Sequence, residues 1–360
     1  MPSRALLLAV TATVVLAAAC GDDDDSSTDI TDVAGDFGEI VESEGTVLAV
    51  STQGQAAVQL DDDELCIVDI AAGGDPRCTA VDVERSLLGS SAAFSPDGSK
   101  LAFDALADMA SAYDSDVRVL DVDSGEVVTI ADDGSQDDPA APQDVLPVWV
   151  DDDELAFLRL PGMGTGRRDT AQVVFAELDG DVDVVDTDGL TVRDVAVGGT
   201  AAALDGSYLF AASSDPSRLV TVDDDGLVEV VTDLDESGGS VGGTSRDGER
   251  AVVVINGRTL EPFPAVHVAT EGDDVVTTSS PFQTFAATVS PDGSIVAATA
   301  VANQGGRTGI TLWDPEVGDQ QLLRPGDGVP TISGVRSVVW TDDDRIVLWS
   351  SKGWQVVDVE

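Results

Sequence analysis

FSPDGSKLAF (94–103) and VSPDGSIVAA (289–298) repeat one pattern at positions far apart in the chain. Each reads as strand, tight turn, strand. Pro96 fixes φ where a type I turn wants it, Asp97 caps the turn with its carboxylate, and Gly98 passes through positive φ without a Cβ clash. The flanking apolar residues alternate or run together, as half-buried and buried strands do. A turn this specific, recurring in one chain, means that the chain is built from copies of one unit.

Degenerate copies lie between and beyond these two. LPVWVDDDELAFLRL (146–160), SVVWTDDDRIVLWSS (337–351) and AAVQLDDDELCIVDI (56–70) run an apolar strand into an Asp triplet and an apolar strand out. GTSRDGERAVVVI (243–255) and AALDGSYLFAAS (202–213) keep the Asp-Gly turn alone. A second hairpin follows many of these, as in VRVLDVDSGEVVTI (117–130), FAELDGDVDVV (175–185), LVTVDDDGLVEVV (219–231) and ITLWDPEVGDQQLL (310–323). Two hairpins give four strands per unit.

Turn aspartates near 97, 151, 205, 247, 292 and 342 place neighbouring units roughly 42–55 residues apart. Four-stranded units of that length are the blades of an all-β propeller, not helical solenoid repeats. Residues 45–360 hold 316 residues, enough for seven blades at about 45 each. The irregular first and last copies leave six or eight open. The chain ends on SKGWQVVDVE (351–360), a third strand with no fourth, so a strand from within 37–51 is expected to complete the last blade. Closure removes exposed sheet edges. Hydrophobic residues make up 42% of the chain and aromatics only 4%, a Val/Ala/Leu supply suited to sheet-on-sheet packing.

MPSRALLLAVTATVVLAAAC (1–20) has one basic residue, an uncharged apolar run and small residues before Cys20. This is the layout of an export signal and is too short for a spanning helix. With Ala17-Ala18-Ala19 directly before Cys20 it resembles a bacterial lipoprotein signal. That resemblance implies cleavage after residue 19 and diacylation of Cys20, which two-chain anchoring makes stable. Ala17 stands where that family usually has Leu. The competing reading is a plain secretory signal with an incidental free cysteine. Residues 20–44 then read as an acidic, Ser/Thr-rich solvated tether before the propeller at 45–360. The expected location is the extracytoplasmic face of the cell membrane, held by the lipid anchor alone.

Cys66 and Cys78 lie on opposite arms of the hairpin CIVDIAAGGDPRCTAV (66–81). Cross-strand Cβ atoms approach to about 5 Å, so a disulfide fits, and an exported compartment permits it. Two buried free thiols are the alternative.

Acidic residues outnumber basic ones 68 to 18, for a net charge of −50. Nothing here could neutralise a run of phosphates, so nucleic acid is disfavoured as a partner, and so is direct binding to an anionic membrane surface. The Asp triplets 61–63, 151–153 and 342–344 match no EF-hand spacing, and turn geometry accounts for them. No metal, cofactor or catalytic residue is assigned. His267, the single histidine, sits in the apolar strand FPAVHVAT (263–270) with no G-x-S-x-G motif to serve it. Gly162, Gly164 and Gly166 precede the basic pair Arg167-Arg168, but the spacing is that of a surface loop and not of a phosphate loop.

The SPDG hairpins followed by V-x-V-h-D hairpins resemble the TolB-type and WD-like propeller repeats of bacterial envelope proteins. FSPDGSKLAF is also similar to the propeller unit of prolyl oligopeptidase relatives, which need a hydrolase domain after it. ITLWDP (310–315) resembles the Trp-Asp strand end of WD repeats, without the Gly-His part. The resemblance implies a surface-tethered module that binds or scaffolds a protein or peptide of the cell envelope. Two alternatives stay open. One is a propeller hydrolase or lactonase with an axial metal. The other is a cell-wall carbohydrate binder that uses Trp149, Trp313, Trp340, Trp349 and Trp354 for stacking, although core packing suits those residues better.

Overall fold

The computed structural model describes residues 30–359 except 62–63, 72–74, 82–91, 107–114, 131–140, 162–169, 192–200, 213–216, 235–238, 256–264, 271–274, 280–283, 302–307 and 328. All regular structure among these described residues is β. Twenty-eight strands form seven four-stranded blades: blade 1 (46–80), blade 2 (92–130), blade 3 (143–191), blade 4 (201–234), blade 5 (239–279), blade 6 (287–325) and blade 7 (337–358 plus 36–42). Within blades 1–6, consecutive strands pair antiparallel in sequence order.

Blade 7 takes three strands from the C-terminus and its outermost strand from the N-terminus. Ile30–Glu42 pairs antiparallel with Gly353–Asp358, matching Phe37 with Val357 and Val41 with Trp354. The first half of the same strand runs parallel to Gln320–Pro325, the outermost strand of blade 6, from Ile30↔Gln320 to Gly35↔Pro325. One strand therefore closes the ring and clips two blades together. This corrects the expected domain layout, because 30–42 belongs to the sheet and not to a solvated tether. The composition misleads for a physical reason. An outermost strand is held by backbone hydrogen bonds, most of its side chains face water, and only Phe37 is buried. Residues 1–29, with Cys20, lie outside the described residues.

Neighbouring blades meet in seven apolar seams, one for each junction around the ring. The two-residue period of a strand makes this possible. In the second strand of blade 2, Leu101 and Phe103 pack toward blade 1, while Ala102 packs toward blade 3. All five tryptophans are buried in these seams, so none is a surface platform for sugar stacking.

The turn joining the first two strands carries its own hydrogen-bond circuit. The Ser290 hydroxyl donates to the Asp292 carboxylate (2.6 Å) and accepts from the Ile295 N–H (2.9 Å). Ser95 with Asp97, Ser245 with Asp247 and Thr341 with Asp343 repeat it. The shared element is Ser/Thr-x-Asp, so TDDD (341–344) forms the same turn as SPDG, with Asp344 at φ 60° where the others have glycine. The Asp151–Asp153 turn is capped by Asp151 alone, which accepts from the Asp153 and Glu154 N–H groups. The Asp61 triplet belongs to a different place altogether, between the second and third strands of blade 1. The first turn of that blade is instead Ser51–Gly54.

The Ser290 hydroxyl and then the Ser294 groups hold the Asp292 carboxyl below its ordinary range. A carboxylate with a lowered folded-state pKa stabilises at neutral pH, and that contribution disappears as pH falls below about 4. Asp292→Asn is therefore expected to be less stable at pH 7 yet to lose less stability between pH 6 and 3, the two proteins converging at the acid end in denaturant titrations. Phe37 is 5% exposed and packs in the seam between blades 6 and 7. Phe37→Ala should cost about 3 kcal/mol or more, while Val33→Ala, at an exposed site on the same strand, should cost under about 1 kcal/mol in the same melts.

Candidate ligand channel

The innermost strands of all seven blades surround a cavity of about 470 Å³ on the propeller axis. It stays open because these strands carry small side chains, among them Ala49, Ala93, Ala202, Gly243 and Ala287. Close approach imposes part of this. A Cβ on Gly242 would lie 2.1 Å from the Ala287 carbonyl oxygen, so blades 5 and 6 could not meet as they do.

One mouth of the channel is built by the first turns. The residue after the Ser or Thr of each capped turn lines the cavity: Thr52, Pro96, Arg246, Pro291 and Asp342. The same turns bond from blade to blade and so fix the rim. The Asp97 N–H donates to Asp152 Oδ1 (2.9 Å), Asp205 N–H to the Gly248 carbonyl (2.9 Å), Arg246 N–H to the Pro291 carbonyl (3.1 Å) and Asp342 N–H to the Thr52 carbonyl (2.8 Å). Across this rim Arg246 of blade 5 pairs with Asp342 of blade 7, Nη2 to Oδ2 at 2.5 Å. The Gln53 amide donates to the same oxygen. At the start of the innermost strand of blade 7, Arg336 lines the cavity with an exposed guanidinium that has no ion-pair partner among the described residues.

Three tryptophans border the cavity from the seams. Trp149 donates its indole N–H to the Ala93 carbonyl (2.9 Å). The indole N–H groups of Trp340 and Trp349 are buried without an acceptor among the described residues. Among the described lining residues Asp342 is the one carboxylate, and no histidine or cysteine contributes. The lining thus offers hydroxyls, backbone groups and two guanidiniums, an arrangement suited to holding a ligand.

Of the residues singled out from the sequence, Pro96, Trp149, Trp340, Trp349 and Asp342 border the channel, and the others lie elsewhere. Cys66 and Cys78 are opposed in register between the two outer strands of blade 1 and joined as a disulfide, Cys66 buried and Cys78 exposed. His267 sits in the third strand of blade 5 with Nδ1 2.8 Å from Thr277 Oγ1. The Gly162–Arg168 loop lies outside the described residues. Glu177, Asp179 and Asp181 cluster at an exposed turn of blade 3, where Asp179 pushes the Glu177 carboxyl above its ordinary range by repulsion. The sequence did not join the channel residues into one site, because each blade supplies only a few, about fifty positions from the next. One signal was available. Arg246 and Asp342 replace proline at the second position of otherwise matching turns.

No family model matches the chain, and no curated protein matches it. Solved structures do. The Cps50 (Swd1) β-propeller domain of Myceliophteria thermophila aligns with a TM-score of 0.56 and 12% identity, covering 91% of this chain and 100% of that one. A chain of the mitotic checkpoint complex aligns at 0.56 and 14%, covering 98% and 99%. Oligogalacturonate lyase of Vibrio parahaemolyticus aligns at 0.58 and 12%, covering 91% and 98%. At such identities the likeness is one of fold: the chain is a β-propeller.

Proposed function

We propose that this chain is an exported, lipid-anchored β-propeller that binds a protein or peptide of the cell envelope at the mouth of its central channel. The channel carries the reading: a cavity on the axis, rimmed by residues from turns that are themselves locked together, with the Arg336 guanidinium exposed on its lining. Similar folds are found both in an assembly, the mitotic checkpoint complex, and in a lyase. The described lining favours binding, because its single carboxylate is already engaged by Arg246. The apolar run ending in Ala-Ala-Ala-Cys20 and the resemblance to TolB-type repeats support an envelope location, with Cys20 as the lipidated residue and the Cys66–Cys78 bond suited to an oxidising compartment.

Two measurements on the full chain test this. Cys20→Ala should release the protein from the membrane fraction; retention there would remove the lipid anchor from the reading. A photo-crosslinking residue at Thr52, on the mouth, should repeatedly capture one envelope protein on intact cells. The same residue at Leu227, exposed on the outer edge of blade 4, should not. Identical adducts from both positions, or none from Thr52, would defeat the channel as the binding site.

A further inference from the structure

The cavity has a second end, opposite the rim of turns. The innermost strands finish at those turns, so they begin at the other mouth. The residues just before Ala287–Val289 of blade 6 and Ser337–Trp340 of blade 7 stand there. Phe285 and Arg336 hold these places, and both side chains are exposed on the cavity lining. Each residue is fixed through its backbone. The Arg336 N–H donates to the Trp349 carbonyl (2.8 Å), and the Phe285 N–H donates to the hydroxyl of the fully buried Thr299 (2.9 Å).

The charge on Arg336 is out of keeping with the rest of the chain. Carboxylates outnumber basic groups 68 to 18, and eight basic side chains among the described residues lie in ion pairs. Arg336 is in none of them. In the described lining Arg246 and Asp342 cancel each other, so Arg336 leaves the channel with one net positive charge inside a protein of net charge −50. A guanidinium free of partners presents a fork of N–H donors that fits a carboxylate. Phe285 is an independent observation. It is 44% exposed and is the one exposed aromatic side chain among the described residues. No other exposed large hydrophobic side chain lines the cavity. A ring left to water on a cavity wall gains when apolar surface covers it.

One positive charge and one apolar ring, on neighbouring blades at one mouth, call for a singly charged anion on an apolar group. Resting on the reading of the channel as a binding site, we propose that this mouth takes a carboxylate with an apolar side chain beside it. That is the chemistry of a polypeptide's last residue or of a small apolar acid. The carboxylate accepts from the Arg336 guanidinium, and the apolar group covers Phe285. A doubly charged phosphate matches the single net charge less well. The cavity volume of about 470 Å³ is that of a small-ligand pocket and suits a chain end better than a folded surface. The acidic remainder of the protein sharpens the choice, because it repels anions elsewhere.

The test uses the full chain and a Gly-Ser-Gly-Phe peptide labelled at its N-terminus, ending in either a free carboxylate or an amide. Binding is followed by fluorescence anisotropy at about 150 mM salt, where the Debye length is about 8 Å. The acid peptide should bind at least about tenfold tighter than the amide, and Arg336→Gln should abolish that preference. Phe285→Ala should weaken binding of the acid peptide about two- to tenfold. Lys352→Gln removes the same charge from an exposed turn of blade 7 away from the lining and should change nothing. All three variants replace exposed side chains, and melting of each confirms that it is folded. Displacement of the peptide by N-acetylphenylalanine supports the site as one for small apolar acids, and a lack of displacement supports it as one for chain ends. No binding of the acid peptide, equal binding of acid and amide, or equal losses from Arg336→Gln and Lys352→Gln would overturn the proposal. None of these outcomes removes the channel as a binding site, which crosslinking from Thr52 judges separately.

Discussion

Ring closure governs the rest of this structure. A blade of four short strands buries nothing by itself. It becomes stable when both of its faces are covered, and that requires a neighbour on each side. The seven seams meet the requirement only if the last blade touches the first, as Val347, Trp349 and Trp354 do when they pack against Val47, Ala56 and Val58. The closing strand, Ile30–Glu42, adds Phe37 to the preceding seam and a ladder of backbone hydrogen bonds along Gly353–Asp358. Because it also pairs with blade 6, pulling it away exposes two sheet edges at once.

The channel follows from the same packing. Blades converge on the axis with their innermost strands, where space allows only small side chains, and the space left over is the cavity. The turns at the ends of those strands must then be rigid enough to define a rim. Ser/Thr-x-Asp provides this with one hydroxyl that both donates and accepts, and the middle residue is left free to point into the mouth. Four blades fill that position with Pro, Arg, Pro and Asp, and blade 1 places Thr52 at the equivalent point of its Ser51–Gly54 turn. The two prolines stiffen the rim, and the charged pair gives it chemistry.

Much of the fold was legible. Strand–turn–strand units, the second hairpin of each blade and a closing strand near the N-terminus all follow from alternation and turn residues, because those signals are local. The misreadings are local too. AAVQLDDDELCIVDI looks like LPVWVDDDELAFLRL, yet it joins the second and third strands of its blade, since an Asp triplet solvates any hairpin tip. ITDVAGDFGEIVE reads as a solvated segment because an outermost strand needs few apolar side chains, and Phe37 is a weak flag among so many acids. The candidate site was almost invisible, its members being single residues from separate blades.

The chain by itself determined that it would be a β-propeller, since the turn chemistry and two-residue period of each unit permit no other element. It also determined that Cys66 and Cys78 would oppose each other, because a hairpin fixes its own register. Tertiary structure decided which N-terminal residues complete blade 7, since backbone pairing across the ring carries no side-chain code. It alone placed Arg246 against Asp342. These residues are 96 positions apart and come together only when blades 5, 6 and 7 pack around one axis. Repetition is written along the chain, whereas a site on the axis exists only once the ring is closed.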